Sequence, residues 1–303
     1  MSKRNLALLA VFSTAVFYAI NYTLVKKVMP FYMSPYALVW IRIFAATVLF
    51  WMTSFIIKPP ELEKKDFLPV ALLSIIAIVI NILSFFKGLS LTTPINGAAI
   101  MVTTPILVFV FSLIILKEKL QLKRAFGIVI GLLGAYFLTT SGEKIAENAE
   151  NIPLGNLLVF VNASGYALYL ILAKKMITKY HPIVFVKWLY TFGLLFMTPF
   201  VFSEVLEVEW QKIPFNIYWI IAYVVVFATY CNFLFNLYGL KHLKPTTVSA
   251  FIYVQPVLAS LFALFMGSDQ LSWTKVLCTL LIFIGVYLVT LPPKIDKNKV
   301  SVL

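Results

Sequence analysis

Ten apolar runs follow one another along the chain, each close to the length of about 20 helical residues that crosses a hydrocarbon layer of ~30 Å. They are Leu6–Val25, Ala37–Ile57, Phe67–Phe86, Ile95–Leu116, Ala125–Thr140, Leu154–Ala173, Ile183–Ser203, Phe215–Tyr238, Thr246–Met266 and Trp273–Leu291. Of the 303 residues 61% are apolar and only 12% charged, so a water-soluble fold would have no polar surface left to cover such a core. The solvent for this chain is therefore lipid. The connections are short, and none is large enough to form a separate soluble domain.

A net charge of +13 invites a nucleic-acid partner, but the distribution of the charges points elsewhere. With the N-terminus inside, the inner segments hold 17 Lys and Arg, among them Lys3, Arg4, Lys117, Lys119, Lys123 and Arg124, whereas the outer segments hold six. That asymmetry is the positive-inside pattern, and it predicts a multi-pass protein of a bacterial cytoplasmic (inner) membrane with both termini cytoplasmic. The basicity reports topology, and the expected partners are the lipid bilayer and a small-molecule substrate, with no nucleic acid. Cys231 and Cys278 both fall in runs, which argues against a disulfide framework. The N-terminal run is of span length and is expected to be retained in the bundle.

A shift of 151 residues brings the chain onto itself without gaps. Asn5 meets Asn156, Ser13 meets Ser164, Tyr18 meets Tyr169, Asn81 meets Asn232, Gly88 meets Gly239, Pro105 meets Pro256 and Gly134 meets Gly285. Two units of five spans follow, over residues 1–141 and 154–293, with a linker at 142–153 and a cytoplasmic tail at 294–303. Because five is odd, the second unit enters the membrane from the opposite side. The loops "KEKLQLKR" (Lys117 to Arg124) and "SDQLSWTK" (Ser268 to Lys275) carry net charges of +3 and 0, as expected if they lie on opposite sides. The expected fold is all-α and integral to the membrane: ten transmembrane helices as two inverted five-helix repeats around a central cavity.

The stretches "FFKGLSLTTPINGAAIMVTTPILVFVFSLIILKEKLQLKRAFGIVIGLLGAYFL" and "FLFNLYGLKHLKPTTVSAFIYVQPVLASLFALFMGSDQLSWTKVLCTLLIFIGVYLV" resemble the two repeats of the EamA family of the drug/metabolite transporter superfamily. The marks are a glycine before the fourth and ninth spans, a mid-span proline, an acid at the following turn and the glycines of the fifth span. The resemblance covers nearly the whole chain. It implies a basket of ten helices around a cavity, alternating access and a small metabolite as cargo, often exported; it does not choose the substrate.

The residues themselves mark where such a cavity would lie. Pro105 and Pro256 each remove a helix hydrogen bond and free the carbonyls of Met101 and Ile252, which suits either a packing kink or a hydrated path. Thr104 and Gln255 sit beside these prolines, with Tyr253 on the same stretch. Thr14, Tyr18 and Asn21 form one polar stripe, and Asn162, Tyr166 and Tyr169 another, with Ser74, Asn81 and Ser84 in the third span and Thr229, Asn232 and Asn236 in the eighth. Such side chains either bond helices together or face a ligand. The substrate-binding candidates are Tyr18, Asn21, Asn81, Thr104, Tyr169, Asn232, Tyr253 and Gln255, drawn from the first, third, fourth, sixth, eighth and ninth spans. Arg42 and Lys187, the two cations inside spans, are placed at the cavity mouths, either snorkelling or attracting an anionic group.

All twelve acids and both histidines fall in loops or at span ends, so no mid-membrane carboxylate is available to couple transport to protons or sodium. Paired acids, a metal cluster and a phosphate-binding loop are lacking, and neither an enzyme nor a cofactor is expected. The reading is a carrier, exporting or exchanging a small metabolite such as an amino acid or related organic solute; a channel or a ligand-sensing receptor is the alternative. Oligomeric state is left open.

Overall fold

Within hydrocarbon every backbone N–H and C=O must be bonded inside the protein, and helices achieve this one segment at a time. The computed structural model describes residues 1–29, 31–91, 100–140, 151–265 and 273–291, and among them the only regular structure is helical. Six helices are long and apolar enough to cross a membrane: Lys3–Asn21, Pro35–Ile57, Lys64–Gly88, Ile152–Lys179, Pro182–Leu206 and Phe215–His242, with Thr104–Ile115 and Val276–Thr290 as shorter apolar helices. The chain is a multi-pass membrane protein. The first residues of the fourth run, most of the linker, the acid Asp269 and the tail lie outside the described residues.

In chain order the helices are α1 (Lys3–Lys26), α2 (Pro35–Ile57), α3 (Lys64–Ser74), α4 (Asn81–Leu91), α5 (Thr104–Ile115), α6 (Leu122–Thr140), α7 (Ile152–Lys179), α8 (Pro182–Leu206), α9 (Phe215–Val225), α10 (Asn232–His242), α11 (Pro245–Ala250), α12 (Val254–Phe265) and α13 (Trp273–Thr290). Local chemistry sets their ends. The Ser34 hydroxyl accepts from the Ala37 N–H at 3.0 Å just before Pro35, a proline whose missing N–H costs nothing at a first turn. Lys58 and Lys117 adopt left-handed φ of 49° and 52° and turn the chain out of α2 and α5.

The 151-residue register reappears in the backbone. A wide π-helical turn at Ile75–Ile80 joins α3 to α4, and another at Val226–Cys231 joins α9 to α10, each ending at the matched pair Asn81 and Asn232. Gly88 then lets α4 close onto Gly155 and Val159 of α7, as Gly239 lets α10 close onto Ala7 and Val11 of α1. The helix before each mid-span proline is also broken, by a turn at Val102–Thr103 and by a 3₁₀ turn at Phe251–Tyr253.

Matched helices run antiparallel where they meet. Along α2 and α8, Ser34 reaches Glu204, Trp40 Nε1 donates to Thr198 Oγ1 at 2.9 Å, Trp51 Nε1 to Thr191 Oγ1 at 2.9 Å, and Lys187 Nζ to Ser54 Oγ at 3.0 Å. Residue numbers fall on one helix as they rise on the other. The same holds for α6 and α13, where Gly127 faces Gly285 and Leu288 while Gly134 faces Cys278 and Leu281. Small residues allow this close approach, which replaces the hydrophobic drive that lipid does not supply between helices.

A Cβ on Gly285 would lie 2.6 Å from the Gly131 nitrogen and 2.7 Å from the Gly127 oxygen, whereas one on Gly165 would meet nothing nearer than 3.5 Å. Gly285→Ala is therefore expected to cost on the order of 1–3 kcal/mol through overpacking and to lower the thermal midpoint in detergent. Gly165→Ala is expected to leave that midpoint unchanged or raise it, because alanine favours the helix.

Candidate functional site

Between the two halves lies a narrow chamber walled by Thr14, Ala15 and Tyr18 of α1, Tyr166 of α7, Asn236 of α10, and Val248, Phe251, Ile252 and Gln255 from the broken ninth segment. Only ≈ 10 Å³ of it admits the centre of a water molecule, about the room one water needs. The chamber is too narrow for anything larger. Asn236 Nδ2 donates to the Tyr166 hydroxyl at 3.2 Å, leaving the Asn236 Oδ1 buried without a partner. From Tyr166 a run of rings leads away through Tyr169, Phe233, Tyr190 and Phe50, with successive centroids 4.9 to 6.1 Å apart.

Of the residues singled out from the sequence, Tyr18 and Gln255 line the chamber. Tyr169 is next to it, 3% exposed, with an unpartnered hydroxyl and its ring 6.0 Å from that of Tyr166. Asn21 and Asn232 are buried on α1 and α10, each with an Oδ1 that meets no donor. Arg42 is half-buried and its Nε finds no acceptor.

Other candidates are occupied in holding helices together. Asn81 Nδ2 donates to the Asn162 carbonyl at 3.0 Å and Asn162 Nδ2 returns a bond to the Asn81 carbonyl at 2.7 Å, clamping α4 to α7. The Thr104 hydroxyl donates to the Met101 carbonyl at 2.7 Å, so the acceptor freed by Pro105 is satisfied within its own helix. Thr104 and Pro105 are buried, away from the chamber, while Pro256 follows the chamber residue Gln255. Tyr253 is fully buried with its ring against Gly131 of α6. Tyr166, Asn236 and Thr14 were visible in the sequence as members of polar stripes; Val248, Phe251 and Ile252 carry no polar signal and emerge only from the fold.

Lys187 is buried where α8 meets α2. It is 1% exposed, donates to Glu61 Oε1 at 2.5 Å and to Ser54 Oγ, and has Trp51 and Trp188 ring centroids 4.5 and 5.8 Å away. Glu61, in the loop after α2, is held below the usual carboxylate range chiefly by the hydrogen bond from Lys187. A shallower recess of ≈ 430 Å³ lies at the junction of α7 and α8, lined by Ile177, Thr178, Lys179, Tyr180, His181 and Lys241. Four of its polar side chains are engaged: Lys179 and the Tyr180 hydroxyl both bond Asp66, the Thr178 hydroxyl donates to the Lys175 carbonyl, and His181 Nδ1 accepts from the Ile183 N–H. Among the described residues no group of His, Cys, Asp and Glu is placed to hold a metal.

The sequence profile of the EamA-like transporter family matches residues 5–140 and again 153–291. An uncharacterized transporter of Bacillus subtilis, YyaM, is 24% identical over 90% of this chain and 89% of its own length. An uncharacterized transporter of Archaeoglobus fulgidus is 25% identical over 91% and 95%, and a WAT1-related protein of Arabidopsis thaliana 22% identical over 88% and 79%. A solved crystal structure at 16% identity superposes with a TM-score of 0.76, covering 95% of this chain and 97% of that one, which speaks for a shared fold.

The buried lysine yields a stability test. Removing one partner strands the other's charge, so Glu61→Gln should destabilise the protein by about 1–3 kcal/mol, less than a fully buried pair would lose because Glu61 itself is largely exposed. Adding Lys187→Met removes the stranded charge and should recover most of the loss, measured as thermal midpoints of the single and double variants. A double variant less stable than Glu61→Gln alone would contradict this account of the pair.

Proposed function

The chain belongs to the EamA-like transporter family, and from that premise we propose an alternating-access carrier that exports or exchanges a small organic metabolite such as an amino acid. In this reading ten crossings form two inverted five-helix units, residues 1–141 and 154–293, in a bacterial cytoplasmic membrane with both termini inside. The antiparallel packing of α2 with α8 and of α6 with α13 supports the inversion, as does the doubled family match.

The observation that carries the proposal is the closed chamber. Its walls come from both halves, polar atoms buried on its wall or beside it lack partners among the described residues, and its volume admits no metabolite until helices move. Unpaired buried oxygens are costly in a low-dielectric interior, so a ligand that supplies donors gains what the empty protein forgoes. A channel is better served by a continuous pore than by an occluded space. Tyrosine rings with an amide suit a solute having an apolar body and a polar end, and Gln255, Tyr18 and Tyr166 are the proposed contacts. Arg42, with an unsatisfied Nε, is the proposed attractor for a carboxylate.

Proteoliposomes preloaded with mixed unlabelled amino acids should show saturable counterflow of an external labelled amino acid. Gln255→Ala and Tyr18→Ala should each slow it by on the order of tenfold, the loss of a hydrogen bond or ring contact to the solute. Flux that never saturates, or is unchanged in both variants, would contradict the proposal.

A further inference from the structure

At the end of the bundle where α1 begins and α13 ends, the cations Arg4, Arg124, Lys174 and Lys244 lie near one another, with the Glu118 carboxylate beside three of them. Glu118 follows the left-handed turn at Lys117, and its side chain, 18% exposed, accepts from Lys244 Nζ at 2.6 Å. Lys174 of α7 lies within electrostatic reach of both Glu118 and Lys244 and caps the end of α10 by donating to the Leu240 and Leu243 carbonyls. Arg124, in the first turn of α6, is within reach of Glu118 and of Arg4, whose guanidinium donates to the Thr290 carbonyl.

Arg124 is the member that nothing else explains. It is 6% exposed, and its Nε is buried without an acceptor among the described residues. An always-charged guanidinium taken out of water needs an anion or carbonyls around it, and Glu118, the carboxylate near it among the described residues, is already bonded to Lys244. The arrangement is also one-sided. Shifted by 151 residues, Arg4, Lys174 and Lys244 become Gly155, Thr23 and Thr93, and only Arg124 keeps a cationic counterpart, Lys275. The positive-inside asymmetry alone gathers basic residues on this side; what it does not supply is an acceptor for the buried Arg124 Nε.

We propose that Arg124, with Arg4, Lys174 and Lys244, forms a binding site for a phosphate-type oxyanion at the rim of the bundle, separate from the central chamber. Several cations converging from different helices match a tetrahedral group with multiple oxygens, and the arginine fork can take two of them at once. The location suits a source in the headgroup layer, where basic pockets between helices hold anionic lipids, or a free phosphate from the adjoining water. An occupant would tie α1 and α6 of one half to α7 and α11 of the other. The site uses no chamber residue, so it stands or falls independently of the substrate.

The test titrates the purified full-length chain in non-ionic detergent with short-chain phosphatidylglycerol, short-chain phosphatidylcholine or inorganic phosphate, following the thermal midpoint. The midpoint should rise with phosphatidylglycerol, with phosphate or with both, and not with phosphatidylcholine; the response to phosphatidylglycerol alone identifies a lipid headgroup and a response to phosphate a free anion. Arg124→Gln should weaken the effective ligand by about tenfold or more, as loss of a charged hydrogen bond does. The half-buried Arg4→Gln provides a second, structurally milder variant with the same direction of change. No shift with either anion, an equal shift with phosphatidylcholine, or undiminished binding in both variants would overturn the proposal.

Discussion

A backbone carbonyl or N–H left unpaired in hydrocarbon costs several kcal/mol, and this constraint orders the structure. It forces each crossing into a helix, and it allows a helix to be interrupted only where protein or an aqueous space takes up the freed groups. The interruptions here obey it in different ways. At Pro105 the Thr104 hydroxyl takes the Met101 carbonyl and the segment stays packed, whereas the break at Phe251–Tyr253 places Phe251, Ile252 and Gln255 on the chamber wall. One chemical device, repeated, thus serves packing in one half and the candidate site in the other.

The two halves hold each other through matched helices that meet head to tail. Along α2 and α8 the contact is made by tryptophan–threonine bonds, with the buried Lys187 at one end and the Ser34–Glu204 bond at the other. Along α6 and α13 it is made by the absence of side chains at glycines. Both are specific contacts rather than general apolar burial, which has little to offer between surfaces already bathed in lipid. The chamber is the region between the halves where neither kind of contact is made and amide and phenol groups are left with spare capacity.

Much of this was legible in the sequence, because the apolar runs and turn residues act locally. The run Ala37–Ile57 became α2 at Pro35–Ile57, and the register of 151 residues returned as paired glycine contacts and paired π-helical turns. The turns themselves had little sequence mark, since Ile75–Ile80 and Val226–Cys231 share only one residue in register, Ala77 with Ala228. Polarity alone does not separate side chains that bond helices from those on the chamber wall. Ser74 and Thr104 bond carbonyls of their own helices, and Asn81 is matched across to α7, all of which a period in the sequence cannot distinguish from facing a ligand. Lys187 was legible as a cation within a span, but its partner Glu61 lies in a loop 126 residues away and is brought to it only by the α2–α8 pairing.

The central claim is that homologous halves cross the membrane in opposite senses and share one chamber. Its most direct measurement places single cysteines at Gln121 and Gln270, in the segments that follow the fourth and ninth apolar runs, on a chain with Cys231 and Cys278 replaced. In intact cells a membrane-impermeant maleimide should label the cysteine at 270 and reach the one at 121 only after the membrane is opened. Labelling of both from the same side would contradict the account.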